Sequence, residues 1–314
     1  IKEKLARFCN VNVDCVIESV DVNTIYDVPN HMYRECLDKV ALKKLKLKYN
    51  EPDLDSWNNF LDKYKNPKDT IKIALIGKYV ELQDSYKSIL ESFIHAGAVN
   101  EVDVDIIPLH SEFINSENVH DKLQSFNGIL VAPGFGERGV EGKIEAIKYV
   151  RLNNIPFFGI CYGMQMAVIE YARNILNLDD ANSTEVNPNT KNPVIDLMEE
   201  QKNITKKGGT MRLGAWKCDI TKETLCHSVY KTENIEERHR HRYELNNKYL
   251  NQLEENGLVA SGKNKDTNLV EVVEIKDHPW FMGVQFHPEY KSTVLSPHPL
   301  FVSFVSAAIL NKNK

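Results

Sequence analysis

One cysteine of the six in this chain is placed where its sulfur can act as a nucleophile. It lies in Pro156-Phe157-Phe158-Gly159-Ile160-Cys161-Tyr162-Gly163-Met164-Gln165, an apolar run followed by Met164, Val168, Ile169 and Tyr171-Ala172 at roughly helical spacing. The pattern predicts a buried strand that turns at Cys161 into a helix. At such a turn the first backbone N–H groups of the helix and its positive dipole end favour a thiolate over a thiol. Gly159 and Gly163 flank the turn without side-chain bulk, as a tight strand-to-helix elbow requires. A buried cysteine taken alone is more often a small apolar core residue, so its companions decide.

Phe286-His287-Pro288-Glu289 ends a second apolar run. In an extended segment residues two apart point the same way, so His287 and Glu289 suit a general base and the carboxylate that orients it. A partly exposed structural histidine fits the same triplet. A third stretch, Ala132-Pro133-Gly134-Phe135-Gly136-Glu137-Arg138-Gly139, is dense in glycine. That composition is needed where backbone N–H groups approach a reacting oxygen, and a phosphate loop or a flexible turn shares it. The loop lacks Gly-Lys-Ser/Thr and no GxGxxG opens the first helix, which weighs against a nucleotide site in this region.

The elements that must carry these residues alternate. Residues 71–76 read as a buried strand, followed by a helix that Asp84 can cap, with Tyr86, Ile89, Leu90, Phe93 and Ile94 on one face. Strands at 102–108 and 129–131 come next, then the glycine-rich loop, a helix bearing Ile144 and Ile147, and the strand into Cys161. The expectation is an α/β fold, a mostly parallel central sheet flanked by helices, with ligands at the carboxyl ends of the strands, where Cys161 and the glycine loop both lie. Beyond Leu176 the chain is loop-rich, and a polar stretch at 190–207 reads as partly mobile, with no role assigned. Strand character returns at 210–220, a hairpin is expected from 270–275 and 280–286, and Pro299 can open a last helix.

Residues 1–47 contain a strand-like piece at 14–17 and a helix-like piece at 33–45, too little for a domain. They read as the tail of another α/β domain. Residues 48–70 are polar and turn-prone, with Pro52, Asp53, Asp55, Asn58, Asn59, Asn66 and Pro67, and read as a linker carrying one short helix. Residues 71–314 form the main domain.

The chain has 314 residues, 42% hydrophobic and 26% charged, enough for a sizeable core. A net charge of -5 argues against binding nucleic acid through phosphate contacts, and the cluster Arg238-His239-Arg240-His241-Arg242 is too short to reverse that. No run approaches membrane-spanning length, and the first residues lack a signal peptide's apolar core. A reducing, cytoplasmic compartment is the expectation. No CxxC or Cys/His ligand pattern is present, so no metal site is expected.

Together, Pro133-Gly134-Phe135-Gly136, Gly159-Ile160-Cys161-Tyr162-Gly163-Met164-Gln165 and Gln285-Phe286-His287-Pro288-Glu289 resemble the class I, triad-type glutamine amidotransferases in order and spacing. Gly77-Lys78-Tyr79-Val80-Glu81, Arg138-Gly139-Val140-Glu141-Gly142-Lys143, Gly209-Thr210-Met211-Arg212-Leu213-Gly214 and Arg238-His239-Arg240-His241-Arg242-Tyr243-Glu244 are similar to stretches of the CTP synthase family. Phe8-Cys9-Asn10-Val11 and residues 21–29 resemble the end of that family's synthetase (amidoligase) domain.

The resemblance implies a nucleophile at Cys161, a general base at His287 and an orienting carboxylate at Glu289. It implies oxyanion donors around Gly134 and at the N–H of Tyr162, and glutamine contacts from Gly134, Tyr162, Gly163, Met164, Gln165, Glu185 and Arg242. Arg242 would grip the α-carboxylate and Glu185 the α-ammonium; without the resemblance, Arg242 reads as part of a solvated basic strand face. Tyr162 stands where the family usually has a smaller aliphatic residue. The implied activity is hydrolysis of L-glutamine to glutamate and ammonia, supplying ATP-dependent amination of UTP to CTP. It needs no cofactor in this region. ATP, Mg²⁺ and UTP are expected at the synthetase domain, with GTP as an allosteric effector and a homo-oligomer for the full-length enzyme; neither nucleic acid nor membrane is an expected partner. A γ-glutamyl hydrolase would share the cysteine–histidine chemistry, but Arg242 and Glu185 suit free glutamine better. A non-catalytic scaffold would not need Cys161, His287 and Glu289 together.

Overall fold

A computed structural model of the chain describes residues 1–197 and 211–314. Most of the polar stretch read at 190–207, and the start of the strand expected from 210, lie outside the described residues. The chain divides into two compact units, Ile1–Asn66 and Pro67–Lys314.

The first unit holds helices α1 (Lys2–Cys9), α2 (Val28–Arg34), α3 (Leu37–Lys44) and α4 (Asp55–Lys65). Two local expectations fail here. The strand-like piece at 14–17 begins as a 3-10 turn, Val13–Cys15, because it has no partner strand to complete its hydrogen bonds. The helix expected at 33–45 is broken by Cys36, which takes φ 59°. Within the stretch read as a linker, α4 buries Phe60 and Leu61. Tyr26 meets Phe60 edge-on at 5.0 Å, and the Trp57 indole N–H donates to the Tyr26 carbonyl at 2.8 Å.

In the second unit, β1 (Asp69–Gly77), α5 (Lys87–Asn100), β2 (Val102–His110), α6 (Val119–Leu123), β3 (Gly128–Val131), α7 (Val140–Leu152), β4 (Phe157–Ile160) and α8 (Tyr162–Asn174) alternate as expected. Asp84 does not cap α5. It sits in a 3-10 turn, Gln83–Tyr86, and α5 starts at Lys87 without a side-chain cap. Tyr86 is drawn into the core against Gly77, so the helix begins only after it.

The chain continues through β5 (Asn182–Ser183), β6 (Pro193–Leu197), β7 (Arg212–Ile220), α9 (Leu225–Tyr230), β8 (Asn234–His241), β9 (Tyr243–Leu245), α10 (Leu250–Glu255), β10 (Leu258–Lys263), β11 (Val270–Ile275), β12 (Phe281–Val284) and α11 (Pro299–Lys312). Among the described residues nine strands form one sheet in the order β2-β1-β3-β4-β12-β11-β10-β7-β8. The run from β2 to β12 is parallel, and from β12 to β8 every pairing is antiparallel. Strands β3 and β4 are buried along their whole length, as a parallel sheet covered on both faces requires. One apolar cluster gathers α7 and α8 against the sheet; the other gathers α5 and α11, with Phe93 and Phe301 edge-to-face at 5.2 Å. A small sheet, β5-β6-β9, lies apart from the large one in hydrogen bonding. Among the described residues no helix is long and apolar enough to cross a membrane.

Two features of this packing set up the site. β12 pairs parallel with β4, Val284 opposite Ile160, so the chain leaves both strands side by side. The first turn of α8 presses on the strands: a Cβ at Gly163 would stand 2.2 Å from the Val131 carbonyl oxygen, and one at Gly159 2.8 Å from the Gly163 carbonyl carbon. Both obstacles are backbone and cannot swing aside. Gly163→Ala is therefore expected to lower unfolding stability by roughly 1–3 kcal/mol, read by urea denaturation; an unchanged midpoint would mean that the helix can back away from β3 freely.

Candidate active site

Cys161 lies between β4 and α8 with φ 52° and ψ -101°. A residue with a side chain rarely occupies that conformation, which costs on the order of 1–3 kcal/mol. Neighbouring hydrogen bonds hold it: the Cys161 N–H donates to the Val284 carbonyl at 2.7 Å, and the Cys161 carbonyl accepts from the Gln165 N–H at 3.2 Å. The thiol is buried at the start of α8, with the helix's unpaired N–H groups beside it.

His287 leaves the parallel strand next door. Its N–H donates to the Arg238 carbonyl at 2.8 Å, and its Nδ1 lies 2.7 Å from Glu289 Oε1. The pairing does not arise from strand alternation: β12 ends at Val284, and a 3-10 turn, Pro288–Tyr290, folds Glu289 back onto the ring. Tyr290 stacks on His287 at 5.1 Å. With Nδ1 engaged, Nε2 is left buried without another partner, and the ring interacts with Cys161. Burial opposes charge on this imidazole. Cys161 and Glu289 beside the ring outweigh that and hold His287 up at about 11.

These three residues open onto a cavity of about 660 Å³, of small-molecule size. Of the residues expected around glutamine, Gly134, Tyr162, Gln165, Glu185 and Arg242 line it. Gly163 and Met164 do not. Gly163 packs on Val131, and Met164 is wholly buried against Gly283 of β12. Gln165 lines the wall with its amide already committed, Nε2 donating to the Tyr243 carbonyl at 3.0 Å and to Gln285 Oε1 at 3.3 Å. Burial raises Glu185, while the Gly136 N–H, Lys78 and Arg242 pull it back, so Glu185 and Arg242 feel each other's charge.

The glycine-rich loop is tied down. The Gly136 N–H donates to Glu185 Oε1 at 3.1 Å, the Tyr162 hydroxyl donates to the Gly136 carbonyl at 2.6 Å, and Lys78 Nζ donates to the Phe135 carbonyl. Tyr162, larger than the aliphatic residue expected there, supplies one of these ties. Basic alternation along β8 also resolves: Arg238 and Arg240 are exposed, whereas His239 and His241 are buried. Behind the site Arg212 joins Glu244 at 3.1 Å and Glu271 at 2.7 Å, all buried. Burial, and then Arg212, push His239 down to about 2 and His241 to about 3, so both stay neutral.

Sequence reasoning missed Gln285, whose Nε2 lies 3.8 Å from Cys161 Sγ, and Lys78 and Lys143 beneath the glycine loop. Their only signal was membership of the family-like stretches, with no chemistry of their own. Among the described residues no group of three or more His, Cys, Asp or Glu side chains is arranged to hold a metal.

Comparison with known proteins agrees with this architecture. Residues 81–307 match the model of class I glutamine amidotransferases, and residues 1–47 match that of the CTP synthase N-terminus. The chain is similar to CTP synthase of Flavobacterium johnsoniae, 65% identical over 98% of this chain and 58% of that protein. It is likewise similar to CTP synthase of Bacteroides fragilis, 52% identical over 98% of this chain and 58% of that one. The chain thus spans somewhat over half the length of these curated relatives. Among solved structures, the glutaminase domain of Trypanosoma brucei CTPS with bound acivicin superposes with a TM-score of 0.72 at 39% identity, covering 76% of this chain and 94% of that one. A cysteine elbow, a parallel strand delivering histidine and glutamate, and a family match over most of the second unit converge: this chain belongs to the class I glutamine amidotransferase family.

Proposed function

We propose that the chain hydrolyses L-glutamine to glutamate and ammonia through Cys161, His287 and Glu289, as the glutaminase part of a CTP synthase. The observation that carries the reading is the buried His287, held by Glu289 at 2.7 Å and coupled to Cys161 at a strained helix start. The thiolate adds to the side-chain amide carbon of glutamine, and the carbonyl oxygen becomes an oxyanion. Collapse breaks the C–N bond while the imidazolium of His287 passes its proton to the departing nitrogen, giving ammonia and a γ-glutamyl thioester. His287, now neutral, takes a proton from water as the water adds to the thioester. A second oxyanion collapses, glutamate leaves, and the thiolate–imidazolium pair is restored.

Backbone N–H groups around Gly134 and at Tyr162 serve as oxyanion donors; one such donor is typically worth about 3 kcal/mol. Glu185 and Arg242 bear opposite charges on one cavity wall and match the α-ammonium and α-carboxylate of an amino acid. The chain's likeness to full-length CTP synthases supports the pathway: ammonia would serve ATP-dependent amination of UTP, with ATP, Mg²⁺ and UTP at a synthetase domain to which residues 1–47 belong and GTP as effector.

Cys161→Ser should nearly abolish ammonia release from glutamine. A glutamine-analogue electrophile should label the native chain at Cys161 by peptide mass spectrometry; labelling at Cys9, Cys15, Cys36, Cys218 or Cys226 instead would refute the assignment. Glu289→Gln removes the carboxylate that holds the imidazolium. Its kcat should fall roughly 10²-fold with KM little changed, and a kcat equal to the native value would remove Glu289 from the mechanism. Arg242→Lys keeps the charge and loses the planar fork, so KM for glutamine should rise about tenfold; a silent substitution would exclude the carboxylate role.

A further inference from the structure

Lys143 is fully buried on α7 and its Nζ has no hydrogen-bond partner among the described residues. The amine lies 4.7 Å from the centre of the Tyr162 ring, and a Cβ added to Gly134 would come within 3.3 Å of it. It therefore sits directly behind the backbone proposed to bind the oxyanion. Carboxylates on α7 and on the elements packed against it are committed elsewhere: Glu141 of α7 to Arg173 at 2.9 Å, Glu112 to Arg138 at 2.9 Å and Glu170 to Arg151 at 2.6 Å. Glu137 and Glu185 act on the Tyr162 hydroxyl. The groups that bear on the amine are Lys78, which opposes its charge, and Cys161, which favours it. A buried cation without a counter-ion is costly and persists only where it has a use.

We propose that Lys143 is a positioning residue of the glutaminase site: an ammonium behind Gly134 and Tyr162 whose counter-charge is supplied only by the Cys161 thiolate and by the oxyanion of each tetrahedral step. The inference rests on the proposed glutaminase reading. Burial, helped by Lys78, pushes this amine down to about 7, and Cys161 works against that. The sign follows: the charged form is present at lower pH, and its support is lost as pH rises through the lysine's titration. A lysine that merely packed would contribute equally at every pH.

The test is the pH dependence of Cys161 alkylation by iodoacetamide, followed at that peptide by mass spectrometry, in native chain and in Lys143→Met. The sulfur displaces iodide, so the rate reads thiolate reactivity without needing glutamine. At about pH 6 the native rate should exceed the variant's by about tenfold, and the ratio should close toward one by about pH 9. The kcat for glutamine should follow the same ratio with KM little changed. A ratio constant across pH, or equal rates throughout, would overturn the proposal. Should Lys143→Met not fold, Lys143→Arg decides. Its charge does not titrate, so the native-to-variant ratio should fall with rising pH, and a flat ratio refutes the role. A chain that shows the expected alkylation profile but releases no ammonia would refute the glutaminase reading and leave Lys143 in place.

Discussion

The structure depends on one strained residue. Cys161 adopts φ 52° and ψ -101°, a sharp elbow that leaves the thiol at the head of α8, lining the cavity. The strain, on the order of 1–3 kcal/mol, persists because the surroundings over-determine the turn. The Cys161 N–H is fixed to Val284, and α8 is clamped against β3 and β4 by contacts that only glycine at 159 and 163 permits, with Gly283 of β12 tight against Met164. The same clamp places His287, since the strand that anchors Cys161 is the one whose exit carries the histidine.

Charge is divided by function around this elbow. Arg212 of β7 is paired with Glu244 of β9 and Glu271 of β11, and the neighbouring His239 and His241 are held neutral. That layer supports the wall without offering a charge to it. Burial raises Glu244 to about 8 despite Arg212, as expected when a second carboxylate, Glu271, shares one cation. On the cavity side the charges are different in kind. Glu185 and Arg242 face a space large enough for an amino acid, and Cys161 and Glu289 beside His287 raise its imidazole despite burial. Buried networks complete in themselves give rigidity; buried charges completed by substrate or by a developing anion give catalysis.

Much of this was legible in the chain. The run from Phe157 to Gln165 announces a buried strand, a turn and a helix by composition alone, and the βα alternation from residue 71 follows from local apolar periodicity, which neighbours in sequence determine. The expectation for α5 was wrong only at its cap, where Tyr86 had a core position to fill. The broken helix at Cys36 and the 3-10 turn at Val13–Cys15 have the same origin: local propensity is weak beside packing and beside the absence of a partner strand.

By itself the sequence determined which residues can react: the cysteine between glycines, the histidine two residues before a glutamate, and the arginine among alternating basic residues. Tertiary structure alone decided what each one meets. β12 comes to lie beside β4 although Val284 is 124 positions along the chain from the Ile160 it pairs with. A 3-10 turn, not strand alternation, brings Glu289 to His287. Gly163 and Met164, close to the nucleophile in sequence, face the core instead of the cavity, while Lys143, eighteen residues upstream, packs behind Gly134 and Tyr162 of the cavity wall. The physical reason is that pairing and burial are set by which surfaces fit across the sheet, and a residue's neighbours in the chain fix its local conformation but not its partners.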